Sequence, residues 1–218
     1  MLGAAWREAA ARNLHAEPVF SYFHPPSSSF RVMLKLVKPK RPPASAYANL
    51  AHVARCGATG ELWRVPSDRL DRLVEDAAER TDGPSGGRGG RGGHKRSELR
   101  VMGPMWVGGM HDGDFVRRMA TAAREREWAD ATALLETMAA EAAAEEQGAL
   151  LFYHLGEVQR ALAKRALPLP SSAALIEALR AAGYGASGSH SEKKALKTSA
   201  TLKQVVAVVA SMEGGGSA

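Results

Sequence analysis

Seven histidines (His15, His24, His52, His94, His111, His154 and His190) and one cysteine, Cys56, are the side chains best suited to hold a metal or move a proton in this 218-residue sequence. No two of the histidines stand at the three- or four-residue spacing that sets two ligands on one helix face. A lone cysteine builds neither a thiolate cage nor a disulfide within the chain. His111 and Asp112 are adjacent, but neighbouring side chains are poorly placed to act on one another, and Asp112 reads as a helix cap. There is no H-E-x-x-H and no Walker sequence. A nucleotide-type cofactor needs a glycine turn between an apolar strand and a helix. The only glycine cluster, DGPSGGRGGRGGHKRS at 82–97, has no apolar strand before it. No catalytic, cofactor-binding or metal-ligating residue is therefore assigned, and the chain is not expected to be a complete enzyme by itself.

The charged residues say more. The net charge is +6 and the pI about 9.7, and the charge is segregated. Residues 18–60 hold Arg31, Lys35, Lys38, Lys40, Arg41 and Arg55 with no acid at all. Residues 83–100 hold five cations against Glu98. Residues 180–204 hold Arg180, Lys193, Lys194, Lys197 and Lys203 against Glu192. Clustered cations are the footprint of phosphate binding, although a solvated surface has the same composition. The stretch 112–147 is acidic, with nine Asp/Glu against four Arg. No apolar run approaches the ~20 residues of a membrane span. The Ala/Arg-rich start resembles an organellar leader, but Glu8 and Glu17 favour an ordinary amphipathic helix.

These residues need elements to position them. The pattern predicts a helix over 4–14 ended by Pro18, strands over 20–23 and 30–38, and a hairpin of 50–56 with 61–66 around GATG. In the second strand Phe30, Val32, Leu34 and Leu36 form a face to be buried, and Arg31 and Lys35 lie on the other. A helix is expected over 68–80. The 82–97 segment reads as a disordered RGG-like insertion, since glycine at that density cannot offset its ordering entropy. A strand over 99–107 precedes helices over 114–128, with Phe115, Met119 and Ala122 inward, and 129–147, with Leu134, Leu135 and Met138 inward. The end reads as a helix over 153–165, a second helix capped by Ser171 or Ser172 and closed at Gly183, a basic hairpin of 184–189 with 195–198, and a helix over 201–212. Helix, turn, helix, basic hairpin is the winged-helix order. The expected fold is α+β: a mixed sheet region, a helical pair and a winged-helix-like end. The expected divisions are 1–81, 82–98, 99–212 and a tail at 213–218.

Several segments in register resemble the C-terminal half of the tRNA (guanine-N2)-dimethyltransferases. AARNLHAEPVFSYF (10–23) resembles that family's A-A-R … E-P-L-L-S stretch. FRVMLKLVK (30–38) resembles its R-V-F-V-R-V strand, and more closely the plant or green-algal form. GPMWVGGMHD (103–112) resembles G-P-x-W-x-G-P-x-H-D, the most specific of the set. FYHLGEV (152–158), SSAALIEALRAAGYGAS (171–187), SGSH (187–190) and ALKTSA (195–200) follow in the family's order. The resemblance implies methyl transfer from S-adenosylmethionine to a guanine of tRNA, with catalysis in a Rossmann-like N-terminal domain that is not in this sequence. It implies tRNA as partner, and a nuclear or organellar (mitochondrial or chloroplast) location. Three positions depart from the pattern. Thr59 replaces the second cysteine of Cys-x-x-Cys-Gly, so no zinc is expected there. Gly109 replaces a proline, and Gly188 an arginine suited to phosphate.

The candidate tRNA contacts are Arg31, Lys35, Lys38, Lys40 and Arg41 on the basic strand region, and Trp106 in its glycine-rich loop. Arg180, Ser187, His190, Lys197 and Thr198 complete the set at the wing. Trp106 either stacks on a base or plugs the core. The wing residues offer donors to phosphate oxygens. Two other readings stand beside this one: a non-catalytic RGG/winged-helix RNA-binding adaptor, and a decayed fragment.

Overall fold

The computed structural model describes residues 1–38, 44–70 and 99–214. Of the helix expected over 68–80 only the start is described, as a 3-10 turn at Ser67–Arg69; its remainder from 71, the RGG segment, Lys40 and Arg41 lie outside the described residues. The chain forms two compact units: Met1–Pro42 with Gly108–Ala218, and Pro43–Val107.

The first unit opens with helix α1 (Leu2–Ala11), which buries Leu2, Trp6 and Ala9 at helical spacing. It stops well before Pro18: Asn13 takes the left-handed conformation at φ 57° and turns the chain, a geometry that asparagine tolerates. Strand β1 (His15–His24) then pairs antiparallel with β2 (Ser29–Val37). The register slips between Pro18 and Phe20, where proline has no N–H to give the ladder. The face of β2 expected to be buried is only partly so. Val32 and Leu34 are half-buried, but Phe30 and Leu36 are each 55% exposed. Phe30 instead stacks on Phe23 of β1, ring centroids 4.5 Å apart.

Helices α2 (Gly113–Glu125) and α3 (Ala129–Glu146) form a hairpin. Asp112 caps α2 as expected, its Oδ1 accepting the Phe115 N–H at 2.9 Å. The buried stripe of α2 is Val116, Ala120 and Ala123, one residue beyond the expected Phe115, Met119 and Ala122. This stripe packs on Leu135 and Met138 of α3, with Phe20 and Tyr22 of β1 against the same cluster.

The last segment runs β6 (Phe152–His154), α4 (Leu155–Ala163), α5 (Ser172–Ala181), β7 (Ala186–Ser187), β8 (Ala195–Thr198) and α6 (Leu202–Gly214). The expected helix start at 153 is a short strand instead, because Tyr153 pairs with Leu196 across the ladder. The sheet order is β6-β8-β7. Helix α3 followed by this strand-helix-helix-strand-strand order reproduces winged-helix connectivity. Ser171 caps α5 through the Ala174 N–H at 3.2 Å. At the other end Gly183, φ 86°, closes a Schellman turn: its N–H reaches Arg180 O and the Tyr184 N–H reaches Leu179 O. Val158, Leu162, Leu175, Leu179, Leu196, Val205 and Val209 make a core of nearly zero exposure. Each such side chain is worth about 1.5–3 kcal/mol of burial. Helix α6 reaches Gly214, past the expected tail boundary at 213.

The second unit is an antiparallel sheet of β3 (Leu50–Cys56), β4 (Leu62–Val65) and β5 (Leu99–Trp106), in the order β4-β3-β5. Ala54, Cys56, Trp63 and Val65 form its core. Among the described residues every paired strand is antiparallel, and no helix is long and apolar enough to cross a membrane.

Candidate functional site

Helix α3 carries two carboxylates one turn apart, Glu141 and Glu145, and both are buried. An ionised carboxylate in such surroundings needs partners for its charge and its lone pairs. Three segments supply them. From the loop that follows β5, the Met110 N–H donates to Glu145 Oε2 at 2.8 Å. Gly109 sits beside that oxygen, 3.4 Å from where a Cβ would stand. From β8, Lys197 Nζ closes an ion pair on Glu145 Oε1, both side chains under 5% exposed.

Glu141 faces the loop between β7 and β8. The backbone N–H of His190 donates to Oε1 at 3.0 Å, and its ring Nδ1 lies 2.5 Å from Oε2. His111, from the post-β5 loop, directs Nε2 toward the same Oε2 from 3.7 Å. That nitrogen is fully buried and has no hydrogen-bond partner. On its other side the Ser21 N–H of β1 stands 3.4 Å from His111 Nδ1. The loop itself is tied to β1 through the Asp112 N–H and Val19 O, 3.0 Å apart. The two imidazoles meet edge to face, centroids 5.7 Å apart, with Tyr22 beside His190 and Phe20 beside His111.

Burial alone would push the Glu141 carboxyl up. The side-chain contacts of His111 and His190, with the positive charge of His190 and Lys197, outweigh burial and hold it well below the ordinary carboxylate range. His111, Glu141 and His190 bring three donor atoms within 4.8 Å of one another. None of this has a signature in local spacing: 49 residues separate Glu141 from His190, and 52 separate Glu145 from Lys197. The one available hint was acids on the same face of α3 as Leu135 and Met138.

The expected wing contacts divide on exposure. Lys197 is internal, so its ammonium goes to Glu145 rather than to a phosphate. Thr198 is buried, donating to Gly185 O at 2.9 Å and accepting the Ala200 N–H at 3.1 Å. Ser187 is buried as well, its hydroxyl without a hydrogen-bond partner. All three are buried: Ser187 and Lys197 pair across the ladder and share the face toward Glu145 of α3, and Thr198 lies on the opposite face. His190 is turned inward to Glu141. Arg180 is exposed and bonds Ala186 O through Nε at 2.8 Å, which leaves the rest of its guanidinium at the surface. Lys193, Lys194 and Lys203 are exposed as well.

On the ribbon, Arg31, Lys35 and Lys38 are exposed, and Lys35 pairs with Glu17 at 3.2 Å across the strands. Trp106 is half-buried at the end of β5, where it pairs with Leu50.

A family model described as N2,N2-dimethylguanosine tRNA methyltransferase matches residues 1–210. Among solved structures, the chain is similar to Trm1 from Pyrococcus horikoshii in complex with S-adenosyl-L-methionine. The identity is 21% and the TM-score 0.66, covering 95% of this chain and 47% of that one. The likeness shows a shared fold, and the chain spans about half the length of that relative. No curated protein matches the sequence.

Proposed function

The chain belongs to the N2,N2-dimethylguanosine tRNA methyltransferase family, and from that premise we propose that it is the C-terminal, tRNA-gripping portion of such an enzyme. In this reading a guanine of tRNA is methylated by S-adenosylmethionine bound on a preceding Rossmann-like domain, and this chain positions the tRNA. The observation that carries it is the family match over 1–210 falling on a winged-helix-ordered end with exposed Arg180, Lys193, Lys194 and Lys203.

Winged modules hold nucleic acid by setting a helix and a wing against the backbone. Helix α5 and the 188–194 loop are those parts here, so the phosphate contacts fall to the loop lysines and Arg180. The buried Glu141–His190 and Glu145–Lys197 pairs hold the wing in place without touching RNA. The exposed Arg31, Lys35 and Lys38 supply a second cationic strip. A methyl-donor site of the doubly wound kind needs a parallel sheet and a glycine turn, and the described strands are all antiparallel. On the strand FRVMLKLVK (30–38) the sequence resembles the plant or green-algal form.

The test is transfer of radiolabelled methyl from S-adenosylmethionine to unmodified tRNA by the purified chain. The reading expects tRNA binding without methylation; methylated guanine in that reaction overturns the division of labour.

A further inference from the structure

We propose that His111, Glu141 and His190 bind one divalent transition ion of the zinc class, a site that stands apart from tRNA binding and needs none of it. Two imidazoles and a carboxylate are a donor set that suits such an ion, with the remaining position left to water. The three donor atoms lie within 4.8 Å of one another.

His111 gives the clearest sign. Its Nε2 is wholly buried without a hydrogen-bond partner, yet it points at Glu141 Oε2 from 3.7 Å. That gap is too long for a hydrogen bond. It is close to the spacing of about 3.4 Å between two donors on one tetrahedral ion with bonds of about 2.1 Å.

Charge balance points the same way. Two carboxylates, Glu141 and Glu145, are buried on one turn of α3, and one buried ammonium, Lys197, is engaged with Glu145. Glu141 has only what the histidines bring. Without an ion, a hydrogen sits between His190 Nδ1 and Oε2, 2.5 Å apart. The ion takes its place, that hydrogen passing to solvent, and the gap opens by about 1 Å. Loading also requires hydrogen on His111 Nδ1, so the long Ser21 N–H contact at 3.4 Å breaks. The half-buried Ser189 and Ser191 flank His190, and the wing loop is the side from which the ion enters.

The experiment titrates the chelator-stripped 218-residue chain with Co(II), then displaces it with Zn(II). One equivalent should bind with visible ligand-field bands and no thiolate charge-transfer band, since Cys56 is not a ligand. Ring nitrogen spectra should shift for His111 and His190 alone among the histidines, and the Ser21 amide should exchange faster. His111→Ala and His190→Ala should each weaken binding at least tenfold. Absence of saturable binding up to millimolar ion overturns the site, as does binding that leaves both rings unshifted. The ring spectra are read on the unaltered chain, so they decide the matter even where a variant fails to fold. A result of unshifted rings assigns the cluster to hydrogen bonding alone.

Discussion

Glu141 receives both the backbone N–H and the ring Nδ1 of His190, at 3.0 and 2.5 Å, from a loop 49 residues further along the chain. One turn later on the same helix Glu145 receives Lys197 and the Met110 N–H. Helix α3 thereby fastens the glycine loop, the wing loop and strand β8 with two side chains. The wing owes its position to these buried pairs, and in the proposed reading its phosphate contacts are the exposed cations rather than Lys197.

Lys197→Met should destabilise the chain by about 3–5 kcal/mol, because Glu145 is left buried without its ammonium partner. Replacing both partners, Glu145→Gln with Lys197→Met, should recover part of that loss. Urea unfolding measures both. A single variant as stable as the parent contradicts the internal role of this lysine.

The depressed Glu141 carboxyl makes a signed prediction for metal-stripped protein. The folded state favours the ionised form, so the stabilisation is complete above the ordinary carboxyl value of 4.5 and is lost as pH falls below it. Urea midpoints taken from pH 6 down to pH 3 should fall more steeply for the parent than for Glu141→Gln. Parallel curves would show that Glu141 has no special interaction in the fold.

Gly185→Ala should destabilise by about 1–3 kcal/mol. A Cβ there would lie 2.6 Å from Ala144 O and 2.8 Å from the Gln147 Cβ, so the end of α3 would have to retreat from β7. Thermal unfolding reads the effect directly.

Gly188→Arg tests the departure from the family pattern in the opposite direction. Nothing lies within 4 Å of a Cβ at Gly188, so the arginine should be accommodated without loss of stability. It should tighten tRNA binding and steepen its salt dependence by about one unit. Tighter binding with an unchanged salt slope would place residue 188 away from phosphate.

What the sequence displayed, and what it concealed, follows from range. Asp112 and Ser171 as caps, and Gly183 with Tyr184 folding back on Leu179, are contacts within a few residues, governed by local backbone chemistry. The antiparallel hairpin of β7 and β8 follows from the short charged loop that joins them. The α2 stripe was read one position out because Phe115 and Met119 outweigh Val116 and Ala123 in size, although the smaller residues make the close helix contact. The acidic run over 112–147 showed only its charge in the sequence. Its members Glu141 and Glu145 are internal, and their partners come from loops and a strand that no periodicity links to α3. Lys197 and Thr198 were misplaced for the same reason. Residues of a two- or four-residue strand show no alternation long enough to tell an inner face from an outer one.

The most direct measurement is the affinity of the 218-residue chain for tRNA between 50 and 300 mM salt, compared with the Lys193→Ala, Lys194→Ala double variant. The account predicts binding that weakens steeply with salt, and a log–log slope shallower by about one to two units in the variant at unchanged stability. Absence of tRNA binding at low salt, or a slope that the two lysines leave untouched, contradicts it.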